Sequence, residues 1–139
     1  MIKAIGHPMM AAALLMGSPA LAAGTGTAPE SGAVVNVGFV IYTKSRTPGT
    51  LNATWNYGNR FGGPGLATGG PDEGFAGDFH VRYYNNDGSF SDEYDLKIVR
   101  TGTSYEVTWL VEGKVRARGV GMPVEDGNSL AVGWRQIDR

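Results

Sequence analysis

The chain has 139 residues, with 12 basic and 13 acidic side chains, a formal net charge of −1 and no cysteine. Disulfides and thiolate metal sites are therefore excluded, and a near-neutral balance without a basic tail argues against nucleic acid as a partner. Packing alone must hold the fold, which at this length is one domain.

The chain opens with Lys3, an apolar stretch from Met9 to Met16, a Gly17-Ser18-Pro19 breaker and then Ala20-Leu21-Ala22. This charged, apolar, small-residue order predicts a cleavable secretory signal over residues 1–23, cut after Ala22 or Ala23. The apolar stretch falls well short of the roughly 20 residues that span a bilayer, and no second such run follows. No transmembrane segment is expected in the mature chain, and the destination is the periplasm or the medium. There is no twin arginine, and no cysteine to carry a lipid. Residues 24–33 are small and polar and read as a flexible leader, leaving 34–139 as a single domain.

Beyond Val34 no 3.6-residue apolar period is sustained, whereas alternation at period two recurs between Gly, Asn, Asp and Pro punctuation. The pattern predicts an all-β domain of about eight strands: 34–42, 50–57, 65–69, 74–84, 89–100, 104–111, 114–122 and 129–137. Asp87 and Gly88 suit a two-residue type I′ turn. That turn matches Gly77 with Ile98, Phe79 with Leu96 and Val81 with Tyr94 on one face. The other face receives Asp78 with Lys97, His80 with Asp95 and Arg82 with Glu93, so one register satisfies both faces.

A turn centred on Thr101 and Gly102 then places Ile98 opposite Tyr105, Leu96 opposite Val107, Tyr94 opposite Trp109 and Lys97 opposite Glu106. At the next hairpin, a two-residue loop sets Trp109 against Arg116. A three-residue loop, Val111 to Gly113, instead pairs Trp109 with Val115, Val107 with Ala117 and Glu106 with Arg118. Asp78, Lys97, Glu106 and Arg118 are thereby expected in one row of alternating charge. A meander with one apolar and one charged face must close or pack on a second sheet, and a closed up-and-down barrel is preferred over a sandwich. A transmembrane barrel is disfavoured because lipid would face that charged row.

Four features invite a functional reading. His80 alternates with Asp78, Arg82 and Tyr84, which suggests acid–base chemistry, but each charge already has a cross-strand partner and no Gly-x-Ser-x-Gly elbow is present. Asn85 to Ser89 with Asp92, Glu93 and Asp95 offers oxygen ligands for calcium, yet the spacing does not fit an EF-hand loop and the same residues make a tight turn. The glycine-rich stretch from Gly58 to Gly77 reads as an irregular connection or as a lid beside a barrel mouth, and it lacks the Lys-Ser/Thr of a phosphate loop. Finally, Trp55, Tyr83, Tyr94, Trp109 and Trp134 fall on the inner face with Phe79 and Tyr105, opposite small residues such as Gly77, Ala117, Gly119 and Gly121. Large against small packs a filled barrel, and it also shapes an aromatic pocket at one barrel end. No cofactor motif is found.

The compact meander, with Trp55 early and Trp109 and Trp134 late, resembles the calycin-type barrels, the avidins and lipocalins, which bind small molecules inside. The biotin-site pattern of avidins and the Gly-x-Trp opening of lipocalins are absent, so no binding residue is carried over. The closing segments, Trp109, Gly119-Val120-Gly121 and Leu130 to Trp134, are similar to a pattern in small exported bacterial proteins, some labelled fibronectin-binding. The combined expectation is an exported, non-enzymatic protein that binds a small, partly apolar ligand at an aromatic barrel end through Trp55, Tyr83, Tyr94, Trp109 and Trp134. The alternative is an extracellular adhesion module that meets a protein or glycan through its charged outer sheet or an edge strand. A hydrolase or isomerase built on His80 is the third possibility.

Overall fold

A computed structural model describes residues 32–137. The expected signal and most of the leader lie outside the described residues. Eight antiparallel strands run as a meander: β1 (Val37–Lys44), β2 (Leu51–Tyr57), β3 (Phe61–Thr68), β4 (Gly77–Tyr84), β5 (Phe90–Thr101), β6 (Ser104–Val111), β7 (Lys114–Val124) and β8 (Ser129–Gln136). Each strand pairs with the next, and β8 pairs back onto β1, with Val40 opposite Val132, to close a barrel. Among the described residues no sheet edge is left free.

Alternation sorts the side chains as the period-two pattern requires. Leu51, Ala53, Trp55 and Tyr57 of β2, Phe79, Val81 and Tyr83 of β4, and Leu130, Val132 and Trp134 of β8 all point inward and are buried. Burying each large apolar side chain contributes about 1.5–3 kcal/mol, which is how a chain without disulfides holds together. β3 begins at Phe61, four residues before the expected start at Gly65. Its inner positions are Gly63, Gly65 and Ala67, which show no apolar alternation because they make room for larger neighbours. Trp55 lies opposite Gly63, and a Cβ on Gly63 would stand 2.1 Å from the Tyr84 carbonyl oxygen.

The β4–β5 register is as expected from Gly77–Ile98 to Arg82–Glu93, but the turn differs. The backbone closes from Asn85 N–H to the Ser89 oxygen around a three-residue loop in which Gly88 has φ 91° and Asp87 is not left-handed. A bulge at Ser91, between the Tyr83–Asp92 and Tyr84–Phe90 pairs, restores the register that the longer loop would shift.

The next two registers correct the sequence expectation. In β5–β6, Leu96 faces Trp109, Ile98 faces Val107 and Lys97 faces Thr108, two residues away from the expected pairing. The turn is Gly102-Thr103, with Gly102 at φ 66°, because a turn centred on Thr101 and Gly102 would force a β-branched residue to positive φ. A two-residue slip keeps every side chain on its own face, so the apolar pattern could not detect it. In β6–β7 the loop is the two-residue Glu112-Gly113, with both φ values positive, at 50° and 79°. A bulge at Arg116 then lifts that arginine out of the ladder and sets Ala117 opposite Trp109. The expected row of alternating charge is therefore broken. Lys97 meets Thr108, Thr108 meets Arg118, and Arg118 meets Arg135 of β8, while Glu106 sits beside Val120.

The longest connection, 69–76, crosses the barrel end formed by the turns after β1, β3, β5 and β7. It tucks Phe75 under the strands, edge-on to Tyr105 at 6.0 Å and beneath the Lys44 ammonium at 5.0 Å. The Gly70 N–H donates to the Gly49 oxygen and ties this segment to the β1–β2 loop. The second half of the glycine-rich stretch thus closes one end of the barrel.

Candidate functional site

The five aromatic residues singled out from sequence come together inside the barrel. Trp55 meets Tyr83 edge-on at 6.1 Å, Tyr83 lies 6.2 Å from Tyr94, and Trp109 lies 6.4 Å from Trp134. None is more than 3% exposed. Most of their polar groups are used within the protein. The Trp109 indole N–H donates to the Tyr83 hydroxyl at 2.8 Å, and the hydroxyls of Tyr83 and Tyr42 are 2.5 Å apart. The Trp55 indole donates to the Tyr84 carbonyl at 2.8 Å. Trp134 Nε1 is buried without a partner. Its ring lies across Gly38, where a Cβ would stand 2.5 Å from Cζ2. The interior is an aromatic column with its hydrogen bonds directed inward. Burial raises the Tyr42 and Tyr83 hydroxyls well above the ordinary phenol range, so both stay neutral donors and acceptors.

A buried carboxyl completes the column at the opposite end from Phe75. Asp92 is brought inward by the Ser91 bulge and accepts a 2.6 Å hydrogen bond from the Tyr94 hydroxyl. Burial pushes its pKa up to about 7, against the opposing hydrogen bonds from Tyr94 and Ser91 and with Glu93 adding to the rise. Burial likewise holds Tyr94 protonated, and the charge of Asp92 reinforces this.

His80 stands on the outer face between two acids, with Nε2 2.9 Å from Glu93 and Nδ1 3.3 Å from Asp95. Partial burial disfavours its charge, but the hydrogen bonds and charges of Glu93 and Asp95 outweigh that and raise its pKa. Arg82 also reaches Glu93, at 3.7 Å, and Lys97 reaches Asp78 at 3.5 Å. This is a solvated ladder of paired charges, and among the described residues no nucleophile is bonded to the imidazole. Among the described residues no group of three or more His, Asp or Glu is placed to hold a metal ion.

Sequence reasoning missed a different surface. On the outer face of β1, β8 and β7 two register rows are apolar: Ile41, Ala131 and Met122, and next to it Phe39, Gly133 and Val120. Phe39, Val120 and Met122 are 51%, 63% and 59% exposed. The third row holds Val37, Arg135 and Arg118. Gly133 leaves a trough between Phe39 and Val120, and a Cβ there would meet nothing within 4 Å. The signal was present in the run from Gly38 to Tyr42, whose apolar residues occupy both parities of a strand instead of one.

No protein-family model, curated protein or solved structure matches the chain. Fold and surface together define an eight-stranded barrel with an aromatic core and one apolar outer strip.

Proposed function

We propose that the protein is an exported, non-enzymatic binding module that recognises its partner on the outer face of β1, β8 and β7. One observation carries this reading: the most exposed large apolar side chains, Val120, Met122 and Phe39, cluster in one outer strip bordered by arginines, on a barrel that already has an aromatic core. A contiguous exposed apolar patch is costly to keep unless something covers it. The charged, apolar, small-residue order of residues 1–23 supports export. A site at the aromatic barrel end is the weaker reading, because Trp55, Tyr83, Tyr94, Trp109 and Trp134 are all buried and most of their polar groups bond within the chain. An edge-strand mode has no edge to use in a closed barrel.

The test uses the dye anilinonaphthalene sulfonate, whose emission rises on apolar surfaces. The folded protein is expected to enhance its fluorescence, and a Val120→Asp, Met122→Asp variant to lose the enhancement with an unchanged melting temperature. Equal enhancement by both proteins would overturn the outer-face assignment. Salt sensitivity is expected to depend on Arg118 more than on Lys97, since Lys97 is already paired with Asp78.

A further inference from the structure

The outer-face site has a definite shape. Its floor is the outward side of β8, where Ala131 and Gly133 carry almost no side chain. One wall is Ile41 and Phe39 of β1, and the other is Met122 and Val120 of β7. Neighbouring strands lie about 4.8 Å apart, so the wall backbones are separated by about 10 Å. From Met122 to Arg118 the groove runs four residues, about 13 Å. Two concave stretches, each of about 580 Å³, meet at Val120 and Gly133, and the second extends to Arg118 and Arg135.

One end of this groove is positive. Arg118 and Arg135 are directly opposite each other in the β7–β8 ladder, and both are exposed. Like charges facing each other across strands are unfavourable unless an anion joins them. Neither has an ion-pair partner among the described residues, whereas Arg82 reaches Glu93 and Lys97 reaches Asp78 across the β4–β5 ladder. Glu106 also lines this stretch, but it stands one row away beside Val120 and forms no ion pair with either arginine.

Resting on the outer-face reading above, we infer that the ligand is an anionic single-chain amphiphile. Its alkyl chain lies along Ala131 and Gly133 between the Phe39 and Val120 walls, and its head group is held by Arg118 and Arg135. A carboxylate, sulfate or phosphate head supplies what two adjacent guanidinium groups lack. An extended peptide is the poorer fit, because a closed barrel offers it no main-chain hydrogen bonds.

The experiment titrates the full chain with decanoate, below its micelle concentration, while amide and indole resonances are followed. The amides of Val120, Met122 and Gly133 are expected to shift and saturate, with the Trp109 indole unmoved. Arg118→Glu with Arg135→Glu is expected to weaken binding roughly tenfold or more, the loss of a charge-assisted contact. Gly133→Val fills the floor without straining the backbone and is expected to abolish the shifts with the fold intact. Decanol, which keeps the chain and lacks the charge, is expected to bind at least about tenfold more weakly. Equal binding of decanol and decanoate, or indifference to the double charge reversal, overturns the inference while the outer-face reading stands. Shifts at those amides with an acidic apolar peptide and none with decanoate do the same. Shifts confined to Trp55, Tyr83 and Trp109 overturn both.

Discussion

The indole N–H of Trp109 donates to the hydroxyl of Tyr83 at 2.8 Å, deep inside the barrel, and Tyr83 passes the network on to Tyr42. Two strands far apart in sequence, β4 and β6, are thus joined through polar atoms that have no access to water.

Removing the shared hydroxyl takes a buried partner from both Tyr42 and Trp109. Tyr83→Phe is expected to destabilise the protein by about 1–3 kcal/mol, the cost of orphaned buried donors, with little change in the volume of the core. Urea unfolding of the two proteins measures the difference. A loss below about 0.5 kcal/mol would show that the network contributes nothing beyond packing.

Two glycines on adjacent strands make opposite predictions. A Cβ on Gly38 would stand 2.1 Å from the Asn56 carbonyl oxygen and 2.5 Å from the Trp134 ring, whereas one on Gly133 would meet open space. Gly38→Ala is therefore expected to cost about 1–3 kcal/mol through overpacking and to alter the near-ultraviolet tryptophan dichroism. Gly133→Ala should stay within about 0.5 kcal/mol of the parent. Melting temperatures measured side by side decide it, and equal effects would contradict the placement of Trp134 across Gly38.

Asp92 makes stability depend on pH. Its folded pKa of about 7 lies above the ordinary carboxylate value, so between those two values the folded state binds a proton that the unfolded state has released. The stabilising contribution is full at acid pH and is lost as pH rises through about 7. His80, also raised, adds a loss in the same direction as pH rises above its ordinary range. Asp92→Asn is expected to flatten the decline between about pH 4 and 7 and to leave the His80 part in place. Denaturation midpoints across that range test it, and an unchanged slope in the variant would exclude Asp92 as the cause.

Phe75 is held by Tyr105 and Lys44 at the end of the barrel, not by a strand. Phe75→Ala is expected to cost about 2–4 kcal/mol, somewhat less than removal of a Phe from the centre of a core. It should also shift the ring resonances of Tyr105, which Phe75 meets edge-on. No change at Tyr105 would mean that 69–76 closes the end without Phe75.

The class of fold was legible in the sequence because a strand's two-residue period is a local property. Phe79, Val81 and Tyr83 alternate with Asp78, His80 and Arg82, and the β4–β5 register matched to their complementary partners holds, although its loop has three residues and a compensating bulge. The same alternation cannot distinguish a pairing from one shifted by two residues, since both keep each side chain on its face. The β5–β6 and β6–β7 registers were therefore decided by backbone preference at Gly102, Glu112 and Gly113 and by the bulge at Arg116.

The candidate site divides in the same way. Sequence alone put Trp55, Tyr83, Tyr94, Trp109 and Trp134 on one face, because alternation fixes facing. How those rings pack depends on what lies across the barrel: Gly38 lets the Trp134 ring lie over it, and all five aromatic residues end up buried. The outer groove was illegible for a stronger reason. It exists only because β8 pairs back onto β1, which sets Phe39, Gly133 and Val120 in one row and Arg135 beside Arg118. Closure is a property of the whole sheet, and no stretch of chain carries it.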